Sequence, residues 1–229
     1  ESGWQLEQAM RDYRHALALK PNSADIHSAL GSLLFHVGLL AAARKELETT
    51  MLLDPVDRFV PPRISRVMWY EGKYDSALAR MNRGIGFPEE HALVLGYLGR
   101  AAEGLATIEH AGPSGRTGSD THAARAVLLA RLGRRPEAEA EIRAAIPAGP
   151  PASHFHHAEF MIASAYSLLG ESEEARQWLE RMANDGMPNY VLLATDPSLA
   201  NLRASPAFQS FLSRERARNE ALESILDQR

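Results

Sequence analysis

His154-Phe-His156-His157-Ala-Glu159 is the one stretch of this chain with metal-ligand chemistry. Zinc accepts both imidazole and carboxylate, but a firm site needs three or four of them converging on one point. On a helix His154 and His157 share a face, and Glu159 joins His156 three residues on. The rival reading is plainer. The run follows a proline turn, where polar residues solvate a helix start, and its spacing is not the His-Glu-x-x-His of zinc enzymes. The sequence therefore predicts no metal site, and His154, His156 and His157 are the residues that would carry one.

A second group suits recognition rather than reaction. Arg63, Arg66 and Tyr70 fall within two helical turns, where they could clamp a carboxylate or phosphate by charge-assisted hydrogen bonds. Trp69 and Tyr97 are aromatic anchors of the kind enriched at interfaces. Against this stands the reading of solvated arginines and aromatics packed between units. Catalysis finds no support. His15, His91, His110 and His122 have no nucleophile or acid paired with them in sequence, and no Gly-x-Ser-x-Gly elbow exists. Gly96-Tyr-Leu-Gly99-Arg-Ala-Ala lacks the lysine of a phosphate-binding loop and follows no predicted strand. No enzymatic activity and no cofactor are expected.

Composition narrows the partners. Net charge is −4 over 229 residues, which leaves no electrostatic footprint for nucleic acid. Absence of cysteine excludes disulfides, thiolate catalysis and cysteine metal sites. The most apolar stretch, Ala29 to Ala43, is too short to cross a bilayer, so no membrane insertion by these residues is expected. A cytoplasmic location is favoured without being readable from the residues. The chain begins at Glu1 rather than methionine, which reads as an excised or processed piece.

Helices must position these groups, because alanine and leucine far outweigh valine, isoleucine and aromatics. The pattern Gly-x-x-x-x-Ala recurs at Gly38/Ala43, Gly72/Ala77, Gly133/Ala138 and Gly170/Ala175, with a glycine-ended variant at Gly99/Gly104. An apolar residue follows four positions later in each: Leu47, Met81, Ile108, Ile142 and Leu179. The copies lie 34, 27, 34 and 37 residues apart, close to a helix–turn–helix period. Each glycine suits a tight interhelical turn, and each alanine suits the closest approach of the two helices. Ile26, Leu30, Leu33, Leu34 and Val37 form one stripe; Leu40, Ala43, Leu47 and Leu52 continue it on the next helix. Gly104 predicts the least stable hairpin. Breaker-rich connectors are expected at 112–118 and 147–151. Asp196-Pro197 and Ser205-Pro206 read as helix starts, and Leu222, Ile225 and Leu226 hint at a homodimer.

Ala9, Tyr13, Ala16 and Pro21 sit 34 residues before Ala43, Leu47, Thr50 and Pro55. With Leu30-Gly31, Leu34, Gly38 and Ala43, this series resembles the tetratricopeptide repeat (TPR) family over nearly the whole chain. His27 stands where the family often has tryptophan, and Thr50 and Gly84 where it usually has alanine. The resemblance implies an all-α, right-handed α-solenoid: a partial first repeat and about five more over 1–185, then a capping segment over 186–229. It also implies a protein or peptide partner held on the concave face by the first helix of each pair. By that register Arg63, Arg66, Trp69, Tyr70, Tyr97 and Arg131 line the groove, beside Ser28, Ser32, His36, Glu89, Glu90, Asp120, Phe160 and Ser164. The opening Trp4 to Pro21 and the ending Asp196-Pro-x-Leu199 to Phe211-Leu212 look like TPR regions attached to bacterial kinases, cyclases or winged-helix proteins. A docking or regulatory module is the implied function. The alternative is a small-molecule sensor with a closed apolar pocket among Trp69, Tyr70 and Tyr97.

Overall fold

The computed structural model describes residues 2–111, 118–147 and 154–227. The two breaker-rich connectors lie outside them, save Gly118 and Pro147. Thirteen α-helices are described: α1 (Ser2–Leu19), α2 (Ala24–His36), α3 (Leu40–Leu53), α4 (Val60–Tyr70), α5 (Tyr74–Met81), α6 (Pro88–Tyr97), α7 (Ala101–Ala111), α8 (Gly118–Arg131), α9 (Arg135–Ala145), α10 (His156–Leu169), α11 (Ser172–Asn184), α12 (Tyr190–Thr195) and α13 (Pro206–Asp227). A 3₁₀ turn, Pro197–Leu202, separates the last two. There is no strand among the described residues. Helices α2/α3, α4/α5, α6/α7, α8/α9 and α10/α11 form five hairpins after the single helix α1, and the whole is an α-solenoid of helical repeats.

The turns explain the glycine pattern. At Gly38, with φ +84°, the next residue's N–H (Leu39) reaches back to the Leu34 carbonyl at 2.9 Å. The same bond recurs from Lys73 to Met68, Arg100 to Leu95, Arg134 to Leu129 and Glu171 to Tyr166. This closing bond satisfies a helix-end carbonyl and needs a left-handed residue just before the donor. Ala43, Ala77, Ala138 and Ala175 are wholly buried, as close helix approach requires. Gly104 departs in a telling way. A Cβ there would lie 2.5 Å from the Ala92 carbonyl oxygen, so α6 and α7 press together more tightly than an alanine would permit.

One stripe residue was misplaced by the periodicity. Leu52 is 83% exposed, whereas Thr50 takes the buried position on α3. From Leu47, three residues round the helix return to the same face but five do not.

The solenoid curls until its ends meet. Helix α13 packs on α1 as well as on α12. Asn189, at the start of α12, accepts from the Leu192 N–H at 3.0 Å and donates to the Phe35 carbonyl at 2.8 Å. Asn219 on α13 donates to the Val37 carbonyl at 2.7 Å. Leu222 and Ile225, which suggested a second chain, are buried within this one because α13 has α1 to lie against.

Candidate functional site

The closure of the solenoid determines where the candidate residues stand. Arg66, Trp69 and Tyr70 on α4, expected to face an open groove, are buried, as are Glu89, Glu90, Asp120, Phe160 and Ser164. The correction has a simple cause: the inner wall of a tightly curled stack faces its own far side. Arg66 donates through Nε and Nη2 to Glu90 on α6 and lies 3.0 Å, through Nη1, from His157 Nε2 on α10. Burial alone would lower the pKa of its guanidinium; Glu90, with Tyr70 and Asp120, more than offsets that and leaves it raised. Thr121 on α8 donates to Glu89 at 2.8 Å. Between these groups and Trp69 lies a cavity with about 20 Å³ for the centre of a water-sized sphere, room for a water and not for a metabolite.

Tyr97 and Arg131 are engaged by the chain's own C-terminal segment. The Tyr97 hydroxyl donates to Asp196 Oδ2 at 2.7 Å, and Arg131 Nη2 donates to Ser198 Oγ at 2.7 Å. The Arg131 guanidinium sits 4.5 Å from the Tyr97 ring centre, and Tyr74 stacks on the same ring at 4.9 Å. Burial pushes both Asp196 and Tyr97 above their ordinary pKa values. So the two residues at the far end of the predicted groove hold residues 196–198 in place.

Arg63 remains at an accessible edge. It is partly buried, donates through Nη1 to Ser28 at 2.8 Å, and its pKa is lowered by burial despite the nearby Asp57 carboxylate. Arg63 shares a pocket of about 260 Å³ with Phe35, Phe59, Phe87, His36 and His154. The register did not reveal a set of exposed apolar residues, one of which, Phe59, lines this pocket. Leu19 ends α1, Leu52 nears the end of α3, and Val56 and Phe59 precede α4; they are 70%, 83%, 88% and 63% exposed. Antiparallel hairpins bring those helix ends to one edge.

The histidines converge more closely than their sequence spacing allowed. His36, at the end of α2, joins His154, His156 and His157, and the ligand nitrogens of all four lie within 4.8 Å of one another. His36 was assigned to the groove, and only the curl of the solenoid brings it to α10. Burial, then neighbouring cations, lowers the His36 pKa well below 6.5; burial brings His156 down to about 4. Glu159 does not join them: it lies 3.5 Å from Arg181 Nε, and burial raises its pKa to about 7.

Two family models match parts of the chain: "TPR repeat" over residues 5–38, and "Tetratricopeptide repeat" over 120–144 and 160–181. These matches, with the helix pairs, support the tetratricopeptide reading. No curated protein matches by sequence. Among solved structures, a chain of the "APC/C hetero-tetramer Cut9-Hcn1" is similar over 97% of this chain, at 12% identity and TM-score 0.57. The present chain spans 44% of that one's length. "YrrB: a TPR protein with an unusual peptide-binding site" is similar over 79% of this chain and 95% of its own, at 17% identity and TM-score 0.43. A tetratricopeptide repeat protein from Parabacteroides merdae covers 96% of this chain and 80% of its own, at 14% identity and TM-score 0.38. At such identities the first of these speaks to the fold alone.

Proposed function

We propose that this chain is a non-catalytic scaffold that docks a protein or peptide at the edge of the solenoid rather than on its inner wall. The observation that carries the reading is the exposed Phe59 ring, which shares a pocket with Arg63, while Leu52 and Val56, a few residues before it in sequence, are exposed too. An apolar anchor ringed by a charge is the usual composition of a recognition site. The partner this surface suits is a segment with an apolar side chain, for Phe59 and Phe87, and a carboxylate for Arg63. Arg66, Trp69 and Tyr70 then serve the site from behind, as the buried face of α4, while Tyr97 and Arg131 hold residues 196–198.

A fluorescently labelled array of acidic–apolar peptides tests this. Wild type binds a subset, and Arg63→Glu and Phe59→Ala each weaken binding at least about tenfold. Leu132→Ala, an exposed apolar residue elsewhere, leaves it unchanged. Equal binding by all four proteins removes the edge from consideration.

The finer reading is that the chain is the docking module of a larger bacterial signalling protein, with residues 186–229 closing the array and the output domain elsewhere in the polypeptide. The parent reading frame tests that directly. The sensor alternative loses its expected pocket, since the cavity beside Trp69 and Tyr70 has room for little more than a water. Homodimerisation likewise loses its motive with the burial of Leu222 and Ile225.

A further inference from the structure

Separately from docking, we infer that His36, His154, His156 and His157 bind a divalent transition metal such as zinc, which clasps the first hairpin of the array to the last. The four ligand nitrogens are within 4.8 Å of one another, and His36 Nε2 lies 3.3 Å from His157 Nε2. Zinc–nitrogen bonds of about 2.0–2.1 Å in a tetrahedron place neighbouring nitrogens roughly 3.3–3.4 Å apart. One edge of that tetrahedron is thus already formed, between residues far apart in sequence. Closing the rest requires nitrogens now at most 4.8 Å apart to approach by no more than about 1.5 Å.

The outer contacts point the same way. His156 Nδ1 lies 3.1 Å from the Asp185 carbonyl, to which it can only donate, so its Nε2 carries the lone pair. That Nε2 is buried and has no hydrogen-bond partner among the described residues. His36 is likewise hydrogen-bonded to the Ser32 backbone, which leaves Nε2 to face the cluster. A ring nitrogen anchored on a carbonyl with the other turned inward is the arrangement that orients metal-binding imidazoles. His154 alone among the described non-glycine residues has a positive φ, +67°, a strained conformation that turns it toward His36. An all-imidazole set selects zinc, nickel or copper over magnesium or calcium. Metal binding exchanges the Arg66–His157 contact for a metal bond, and Arg66 keeps Glu90.

The experiment uses the whole chain, stripped of metal. Calorimetry with zinc gives one equivalent bound, and magnesium gives none. Cobalt(II) gives the intense visible absorption of tetrahedral coordination. His36→Gln and His156→Gln each weaken zinc at least about tenfold with unchanged helical circular dichroism, while Leu132→Ala, an exposed residue outside the pocket that holds the cluster, leaves zinc affinity intact. Absence of stoichiometric zinc uptake, or uptake unaltered in His36→Gln, overturns the inference in favour of a metal-free knot of hydrogen-bonded rings. Should a glutamine variant misfold, the wild-type cobalt spectrum decides by itself: a weak octahedral spectrum rejects the site.

Discussion

Arg66 is a full charge carried into the interior, and its residue-level consequence is sharp. Its guanidinium is held by Glu90, so Glu90→Ala strands a buried cation. Breaking one side of a buried pair costs about 3–5 kcal/mol, and urea denaturation of Glu90→Ala is expected to show a loss of that size. A midpoint equal to wild type would mean that Arg66 is satisfied by other groups. The residue types at this site were legible in the sequence: two arginines and two aromatics on one helix. Their partners were not. Arg66 faces Glu90 24 residues on and His157 91 residues on, distances at which helical periodicity says nothing.

At the scale of the element, the hairpin repeats its own chemistry. His27 pairs with Glu46 at 2.5 Å and His122 with Glu141 at 2.6 Å, both 19 residues apart across a helix pair. The departure from tryptophan at His27 is thereby a polar tie between paired helices, and His122, which lacked any partner in sequence, has the same one. Gly104 and Gly72 separate two uses of glycine. Gly104→Ala drives a Cβ against the Ala92 carbonyl and is expected to cost about 1–3 kcal/mol by overpacking. Gly72→Ala meets no atom within 4 Å and is strained only by its φ of +73°, which costs about 1–2 kcal/mol. Thermal melts in a Leu128→Ala background distinguish the two: that change removes the side-chain atom 3.1 Å from the added Cβ, so it should relieve part of the Gly104→Ala penalty and leave that of Gly72→Ala as it was. Equal response of both would show that no close approach exists at Gly104.

For the whole molecule, closure is the property that matters. Asn189 and Asn219 tie the C-terminal helices to the carbonyls that end α2, and the closeness of Asn189 also demands glycine at position 38, where a Cβ would stand 2.8 Å from its Oδ1. Asn219→Ala leaves the Val37 carbonyl unmet in the interior, a loss of about 1–3 kcal/mol. Nearest-neighbour stacking confines most such losses to adjoining repeats. Closure predicts instead that hydrogen exchange quickens both in α13 and around Phe35–Leu39. Exchange altered in α13 alone would count against a closed solenoid.

Helix pairs, turn glycines and buried alanines were all present in the linear sequence, because a hairpin is built from contacts within about 34 residues. The same locality explains why a groove was expected at Arg63, Arg66, Trp69, Tyr70, Tyr97 and Arg131: register names the inner face of a repeat. How far the stack curls depends on small rotations summed over five hairpins, and no single repeat encodes that sum. Tertiary structure therefore decided that the inner face is a buried wall, that residues 196–198 occupy its end, and that His36 meets three histidines of α10 and its lead-in.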